Sequence, residues 1–172
     1  MVLLAYFSRP GENYYYGDRT DLEVGNTEVV AGLIAERLDC DVFRIEAAEP
    51  YADSYDDTVD RNVEEQDADA RPAIAGELPD LAGYDTVILG SPVWNVRAPM
   101  IMSTFTEGLD FTGKTVLPFV TYAVSGLAGV DGDYRAALPE ASVGPGLAVL
   151  GEESADSGPA VEAWLRDTGL IA

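Results

Sequence analysis

Residues 86–90 read TVILG, a short run in which Val87, Ile88 and Leu89 follow one another without an intervening polar residue. VLLAYF at 2–7 and TVLPFV at 115–120 have the same character. Continuous apolar runs of this length are typical of strands buried on both faces of a parallel sheet, whereas half-exposed strands alternate apolar and polar residues. The chain is therefore expected to fold around a parallel sheet that helices cover on both sides.

Segments with strand and helix character alternate along the whole chain. The predicted strands are Val2–Ser8, Asp41–Ala47, Thr86–Gly90, Thr115–Ala123 and Gly146–Gly151, and the predicted helices are Thr27–Asp39, Asp53–Ala70, Ala98–Leu109, Asp133–Leu138 and Pro159–Thr168. Such alternation with right-handed crossovers produces a doubly wound sheet. We predict an α/β fold of three layers, α/β/α, with a five-stranded parallel sheet in the order 2-1-3-4-5. At this length, residues 1–172 are expected to form one domain.

The second predicted helix, Asp53–Ala70, is polar and acidic. Tyr55, Val59 and Val63 recur at every fourth position within it. Residues four apart lie on the same face of a helix, so these three side chains are expected to form a narrow buried stripe. The other faces of the helix are predicted to be solvated.

The composition excludes several classes of function. The chain has 31 Asp and Glu against 10 Lys and Arg, a formal net charge of −21. Such a field repels nucleic acid and anionic membranes, so neither is an expected partner. There is no histidine and a single cysteine, Cys40, which excludes an intrachain disulfide, most zinc sites and any Ser-His or Cys-His catalytic pair.

The acidic composition also bears on the source and location of the protein. Lys114 is the only lysine. An acidic, lysine-poor surface resembles those of proteins from halophilic archaea, and a GC-rich bacterial genome is the alternative explanation. No apolar run reaches the roughly 20 residues of a membrane-spanning helix, and VLLAYF is too short for a signal peptide and lacks a basic flank. A cytoplasmic protein is therefore expected.

Ligands of doubly wound sheets bind beyond the carboxyl ends of the strands, so the loops after the first, third and fourth predicted strands form the candidate site. The first of these loops leads into the helix that begins near Thr27. A helix N-terminus presents unpaired N–H groups and the positive end of the helix dipole, and Ser8, Asn26 and Thr27 add donors for a phosphate. The alternative is an ordinary N-cap, since Ser and Thr cap many helices.

The second and third loops carry groups suited to an aromatic ligand. The second loop contains Ser91, Pro92, Val93, Trp94 and Asn95. Trp94 is suited to stack on a planar heteroaromatic ring while the loop backbone bonds the polar edge of that ring, and a tryptophan packed on a neighbouring loop is the alternative. The third loop, Thr121–Gly126, offers hydroxyl groups and backbone donors that can face the same ring from its other side.

These motifs resemble the flavodoxin family over nearly the whole chain, through YFSRPGENYYYGDRTDLEVGNTEVVA at 6–31 and YDTVILGSPVWNVRAP at 84–99. The resemblance implies a flavodoxin-like fold that binds FMN. It places the FMN phosphate on Ser8, Asn26 and Thr27, with Arg9 and Gly25 beside them. The second loop of the family, usually of the form Gly-Pro-Trp, matches Gly90, Pro92 and Trp94 and lines the isoalloxazine ring.

The chain departs from the family pattern at two places. The third loop of the family is typically a Thr-Ser-Gly-Gly turn, whereas this chain has the longer TYAVSG at 121–126. The resemblance assigns Thr121, Tyr122, Ser125 and Gly126 to the ring by position alone. Asn95 stands where many relatives carry another aromatic or a small residue, and its backbone is expected to contact the ring.

Residues 13–24 form an excursion that a phosphate loop does not require. NYYY at 13–16 and DLEV at 21–24 flank the segment Gly17–Thr20, which predicts a small β-hairpin with the tyrosines as cross-strand pairs. Two interpretations stay open. The hairpin is either a lid whose tyrosines border the flavin or a hairpin packed on the edge of the sheet.

The predicted function is that of an FMN-binding, low-potential electron carrier serving a redox partner protein. Acidic surroundings and the absence of lysine near these loops disfavour the anionic reduced flavin. The reduction potential of the flavin is therefore expected to be low. The alternative is an FMN-dependent NAD(P)H:quinone-type oxidoreductase that takes a small quinone or nicotinamide substrate, with Arg9, Arg19 and Arg97 as candidates to meet the nucleotide phosphates. A third possibility is an interaction module that has this fold and has lost the flavin, suggested by the altered third loop.

Overall fold

The computed structural model describes residues 1–172. The strands are β1 (Val2–Phe7), β2 (Gly11–Tyr15), β3 (Asp18–Leu22), β4 (Asp41–Ile45), β5 (Thr86–Pro92), β6 (Thr115–Tyr122), β7 (Ser142–Val143) and β8 (Leu147–Leu150). The helices are α1 (Asn26–Ala35), α2 (Tyr55–Asp67), α3 (Met100–Glu107), α4 (Val130–Ala137) and α5 (Gly158–Asp167), with a 3₁₀ segment at Gly151–Asp156. No helix has the length and apolar character needed to cross a bilayer.

The central sheet is parallel throughout and has six strands, in the order β4-β1-β5-β6-β7, with β8 also paired to β6. The predicted count of five differs because the last strand is split. β7 pairs with the start of β6 and β8 with its end. Pro145 lies between them and has no N–H to donate to a neighbouring strand. The predicted order 2-1-3-4-5 did not include this split. It also did not include β2 and β3, which form a separate two-stranded sheet.

The apolar runs are buried on both faces of the sheet, as the sequence predicts. Successive residues of β1 belong to opposite cores: Leu3, Ala5 and Phe7 pack in one cluster, and Leu4 and Tyr6 pack in the other. The first cluster includes side chains of α3 and α4, and the second includes side chains of α1 and α5. Helices therefore cover both faces, which gives the three-layer α/β/α arrangement.

Helix α2 buries a different face from the predicted one. Val59 and Val63 are 41% and 39% exposed, whereas Thr58 and Asn62 are buried. The Thr58 hydroxyl donates to the carbonyl oxygen of Ser54 at 2.9 Å, so this polar side chain is satisfied inside the protein. The predicted valine stripe is wrong because α2 turns a polar face inward. The two valines recur four residues apart, but the buried residues of α2, Thr58 and Asn62, each lie one position before a valine.

The predicted hairpin is present as β2 and β3, which pair antiparallel. Its turn is Tyr16-Gly17, with φ of 47° and 84°. The turn therefore begins one residue before the predicted segment Gly17–Thr20 and is shorter than it. A two-residue turn with both φ values positive matches the twist of the flanking strands. The tyrosines do not pair with one another, since Tyr14 lies opposite Arg19 and Tyr15 lies opposite Asp18.

Two glycines test the close packing of β5 on β6, because an added side chain would clash at one of them and meet open space at the other. A Cβ on Gly90 would lie 2.1 Å from ring atoms of the buried Phe119, whereas one on Gly32 in α1 would meet nothing within 4 Å. We expect Gly90→Ala to lower the free energy of unfolding by about 2 kcal/mol or more, and Gly32→Ala to raise it by about 0.5 kcal/mol. Urea unfolding of both variants measures this, and equal effects of the two would contradict the packing described.

Candidate functional site

A cleft opens beyond the carboxyl ends of β1, β5 and β6, beside the start of α1. It encloses about 570 Å³ of empty space including its mouth. Its walls come from the loop after β1, the hairpin, α1, α2, the loops after β5 and β6, and the segment after β8. The lining residues are Arg9, Asn13, Tyr14, Asn26, Thr27, Tyr55, Pro92, Val93, Trp94, Thr121, Tyr122, Ala123, Gly151 and Glu152.

The N-terminus of α1 forms one end of the cleft. The first N–H groups of a helix have no intrahelical acceptor. In α1 the Glu28 N–H donates to Ser8 Oγ at 3.1 Å and the Val29 N–H donates to the Gly25 carbonyl at 3.2 Å. The N–H groups of Asn26 and Thr27 are left free at the cleft. This end of the cleft therefore has donors and a positive dipole for an anion.

Residue 25 must be glycine because its backbone is in close contact with the loop after β1. A Cβ at Gly25 would lie 2.3 Å from Ser8 Oγ and 2.8 Å from the Arg9 carbonyl oxygen. The helix terminus and the loop after β1 touch at this point, which brings Ser8 into bonding range of the Glu28 N–H. The absence of a side chain at Gly25 sets where α1 begins relative to β1.

A buried hydroxyl pair joins the helix terminus to the end of β6. Thr27 Oγ1 and Thr121 Oγ1 are 2.8 Å apart, and the two side chains are 2% and 5% exposed. Both residues line the cleft. The bond fixes the distance between the anion end of the cleft and the wall that carries Tyr122.

Arg9 is a buried clamp between three segments. Its guanidinium donates to the carbonyl oxygens of Glu12 at 2.7 Å, Ala52 at 3.0 and 3.1 Å, and Asp53 at 2.7 Å. These bonds tie the loop after β1 to β2 of the hairpin and to the segment before α2. Burial lowers the pKa of Arg9 from its ordinary value, and the nearby Asp53 and Glu12 oppose that effect. Four of its five N–H groups are occupied by main-chain oxygens.

Trp94 lies in an aromatic cluster beside the cleft. Its ring meets Phe7 edge-on at a centroid distance of 5.5 Å and Tyr51 at 5.0 Å. The Tyr51 hydroxyl donates to Glu65 Oε2 at 2.7 Å. Burial and this carboxylate raise the pKa of Tyr51, so the hydroxyl stays protonated and the cluster stays neutral. The indole is held on one side, and part of it faces the cleft.

A tight turn after β5 sets the position of Trp94. The Trp94 N–H donates to the Arg97 carbonyl at 2.8 Å, and the Arg97 N–H donates back at 3.2 Å. Asn95 and Val96 between them have φ of 49° and 59°. Positive φ is strained for a β-branched residue such as Val96, so this turn is kept by the contacts around it. One such contact is the Asn95 amide, which donates to Gln66 Oε1 of α2 at 2.8 Å.

The hairpin borders the cleft, and its turn lies beside β8 at the edge of the sheet. Asn13 and Tyr14 line the cleft from β2. Glu12 Oε1 accepts from the Tyr55 N–H at 3.0 Å, which joins the hairpin to α2. At the turn, the Tyr16 N–H donates to Glu152 Oε1 at 2.9 Å. The hairpin is thus fixed at both ends, with Tyr14 at the cleft as in the lid interpretation and its turn beside the sheet edge as in the alternative.

Glu152 and Gly151 are cleft residues that the sequence analysis missed. They follow β8 at the start of the 3₁₀ segment. Glu152 Oε2 is buried and has no hydrogen-bond partner. A Cβ at Gly151 would lie 2.7 Å from Asn26 Nδ2, so the segment packs closely on α1. No motif marks these residues, but position after the fifth predicted strand could have placed them at the same edge. Asn13, Tyr14, Tyr55 and Ala123 were also absent from the predicted set.

Eight of the fourteen predicted site residues line the cleft, namely Arg9, Asn26, Thr27, Pro92, Val93, Trp94, Thr121 and Tyr122. Ser8 and Gly25 lie behind the helix terminus, where Ser8 caps Glu28. Ser91 is 1% exposed, and its hydroxyl has no partner. Asn95 lines a neighbouring pocket. Ser125 and Gly126 lie outside the lining, because the loop after β6 is longer than a four-residue turn.

The clamp formed by Arg9 gives a direct test of how the site is assembled. Lysine at this position has one ammonium group and cannot reach the carbonyls of Glu12, Ala52 and Asp53 together. We expect Arg9→Lys to lower the free energy of unfolding by about 2 kcal/mol or more, because buried carbonyls lose their donors. Hydrogen exchange of the hairpin amides is expected to become faster.

Arg71→Lys is the matched control, since Arg71 pairs with the exposed carboxylates of Asp69 and Glu107. Surface pairs of this kind contribute about 0–1 kcal/mol. Urea unfolding and hydrogen exchange of the two variants compare them. Equal losses of stability, or unchanged exchange in the Arg9 variant, would contradict the clamp.

The chain is similar to solved structures of flavoproteins from Bacteroides species. The chain shares 32% identity with a candidate flavoprotein from Bacteroides uniformis, covering 96% of this chain and 97% of that one, with a TM-score of 0.75. A candidate flavoprotein from Bacteroides eggerthii has 28% identity, coverage of 99% and 98%, and a TM-score of 0.78. No curated protein sequence matches the chain at a significant level.

A more distant structure shares the fold. It is a flavoprotein from Lactobacillus acidophilus in complex with FMN, with 17% identity, coverage of 95% and 97%, and a TM-score of 0.67. The model of the family described as Flavodoxin matches residues 22–168, which is most of the chain. The protein belongs to the flavodoxin family.

Proposed function

We propose that the protein binds FMN noncovalently in the cleft and works as a low-potential electron carrier for a redox partner protein. One observation carries the proposal. The free N–H groups of Asn26 and Thr27 lie at a cleft that the indole of Trp94 also lines. An anion site and an aromatic wall in one cleft suit a ligand that has a phosphate and a planar ring.

The phosphate end has donors without a lysine. The N–H groups of Asn26 and Thr27 and the Asn26 side chain would meet the phosphate, and the helix dipole favours its charge. The Ser8 hydroxyl holds the Glu28 N–H and so keeps the helix terminus in place. Ser8 is therefore proposed to position the phosphate site from behind it.

The ring end is shaped by aromatic side chains from three segments. Trp94, Tyr122 and Tyr14 line the cleft from the loops after β5 and β6 and from the hairpin. The packing of Trp94 on Phe7 and Tyr51 fixes one edge of the indole, so little freedom is lost when a ligand contacts it. Bound FMN supplies the redox chemistry at this wall, and the protein supplies binding, orientation and charge.

The charges around the cleft favour a low potential. Glu152 is the only acidic residue in the lining and Arg9 the only basic one. Four of the five N–H groups of Arg9 are used by main-chain oxygens. With a net charge of −21 on the whole chain, added negative charge at the ring is disfavoured. These features support a carrier that gives up its electron readily.

A second candidate is an FMN-dependent oxidoreductase that acts on a small quinone. A further pocket opens beside Trp94, between the hairpin and α2, which favours a small-molecule partner. Of the three arginines predicted to meet nucleotide phosphates, Arg9 is bonded to main-chain oxygens, and Arg19 is paired with Asp56 at 3.1 Å and Glu12 at 3.7 Å. Arg97 is exposed and makes no ion pair, but it lies outside the lining of both spaces beside Trp94.

The phosphate assignment can be tested with two flavins that differ only in that group. We expect FMN to bind at least about tenfold more tightly than riboflavin, because only FMN can use the start of α1. Thr27→Val removes a hydroxyl of this end and is expected to reduce the preference for FMN several-fold. Quenching of flavin fluorescence during titration gives both dissociation constants.

Thr106→Val is the control, since Thr106 is a buried threonine of α3 that does not line the cleft. It is expected to leave both dissociation constants unchanged. Equal affinity for FMN and riboflavin in the unmodified chain would contradict the phosphate site, and failure of both flavins to bind would overturn the proposal.

The negative charge around the cleft allows a prediction of the reduction potential of bound FMN. We expect it to be more negative than that of free FMN, and we expect Glu152→Gln to raise it by roughly tens of millivolts, because one negative charge leaves the cleft. Glutamine keeps an oxygen for the Tyr16 N–H. Glu153→Gln is the matched control, as Glu153 is exposed and outside the cleft. Redox titration followed by absorbance measures all three proteins, and a larger effect of the control would contradict the argument.

Turnover separates the carrier from the enzyme. We expect the FMN-loaded protein to oxidise NADH and NADPH only slowly, with or without benzoquinone, because Arg97 is the one unpaired arginine among the three candidates and it lies outside the cleft. Steady-state absorbance at the nicotinamide band measures this. Rapid turnover by the isolated protein would contradict the carrier and support the oxidoreductase.

A further inference from the structure

A second pocket lies next to the cleft, on the side of Trp94 that faces α2. It encloses about 460 Å³ including its mouth, and Arg9, Asn13, Tyr55, Val93 and Trp94 line both spaces. Its remaining walls are Thr58, Val59 and Asn62 of α2 and Asn95 of the turn after β5. The two spaces are therefore neighbours that share an aromatic wall.

Asn62 is the unusual group in this pocket. Its side chain is 3% exposed, and its Oδ1 has no hydrogen-bond partner. Leaving a buried polar atom unpaired costs about 1–3 kcal/mol, so native proteins pair nearly all of them. One turn earlier, Thr58 is equally buried but donates to the carbonyls of Ala52 and Ser54. Asn62 Oδ1 is sealed from the pocket as the side chain stands, and rotation of the terminal amide would present this acceptor to a ligand with an O–H or N–H group.

The other walls limit what that ligand can be. Tyr55, Trp94, Val59 and Val93 give the pocket aromatic and apolar surface. Arg9 is the only charged residue in the lining, and its guanidinium is bonded to main-chain oxygens. Four of the five N–H groups of Arg9 are used in this way, so a phosphate or carboxylate would find one charged donor and would leave its other oxygens desolvated. The ligand class is a small uncharged aromatic ring that carries a donor.

We propose that this pocket binds the ring of a phenol or hydroquinone, with the ring hydroxyl donating to Asn62 Oδ1. That such a ring would lie beside a flavin rests on the proposed function, whereas the pocket and Asn62 do not. An amide side chain also has an N–H₂ donor, so the same residue can bond the carbonyl oxygen of the corresponding quinone. The pocket thereby identifies the substrate class that the second candidate function requires.

The test is a titration of the FMN-saturated protein with 1,4-dihydroxybenzene under anaerobic conditions. The chain has two tryptophans, and the buried Trp164 donates its Nε1–H to the Pro145 carbonyl. In a ¹H–¹⁵N spectrum, we expect the Trp94 indole signal to shift saturably and the Trp164 signal to stay in place. The same ring without donors, 1,4-dimethoxybenzene, is expected to bind roughly tenfold more weakly.

Two variants assign the effect to Asn62. Asn62→Leu keeps a similar volume without the acceptor and is expected to weaken 1,4-dihydroxybenzene roughly tenfold while leaving 1,4-dimethoxybenzene unchanged. Val63→Ala, at the exposed neighbouring position, is expected to alter neither. Unchanged FMN affinity shows that each variant is folded.

Several results would overturn the pocket proposal. These are an unmoved Trp94 signal, equal affinity for the two rings, no effect of Asn62→Leu, or binding that disappears when the cleft is saturated with FMN. A chain that fails to take up FMN but still shows the Asn62-dependent shift would overturn the proposed function and support the pocket.

Discussion

The buried guanidinium of Arg9 is the interaction on which the carboxyl edge of this sheet depends. It bonds main-chain oxygens of Glu12, Ala52 and Asp53 and so joins three segments that no sheet hydrogen bond connects. With that clamp in place, β2 lies above the cleft and α2 begins where Tyr55 can line it. The same bonds direct most N–H groups of the one cation in the lining at main-chain oxygens, so the free N–H groups at the start of α1 are left to bond an anion.

The site therefore combines two opposing electrostatic influences. The free N–H groups of Asn26 and Thr27 favour an anion at the start of α1, while the overall negative charge and Glu152, next to the Gly151 that packs on Asn26, oppose added negative charge in the cleft. The hydroxyl pair of Thr27 and Thr121 joins the start of α1 to the end of β6. A ligand with a phosphate and a redox-active ring is suited to such a cleft because free N–H groups can bond its phosphate while the surrounding charge sets the potential of its ring.

The sequence predicted the features that depend on local chemistry. The apolar runs of β1, β5 and β6, the start of α1 near Thr27 and the aromatic loop at Trp94 follow from burial and helix-end physics in each segment. The inward face of α2 could not be predicted from its valines, because Thr58 and Asn62 are buried by contacts with distant segments. Glu152 was missed because no motif marks it, although its position after the last predicted strand places it at the same edge of the sheet as Asn26. The split edge strand follows from Pro145, which the sequence does contain.

The central claim is that the cleft is built for FMN. The most direct measurement is the visible absorbance spectrum of the purified protein, combined with native mass spectrometry before and after unfolding. We predict a flavin spectrum and one bound molecule with the mass of FMN, released intact when the chain unfolds because no covalent link holds it. A colourless protein that also fails to bind added FMN would contradict the account and support an interaction module that has lost the flavin.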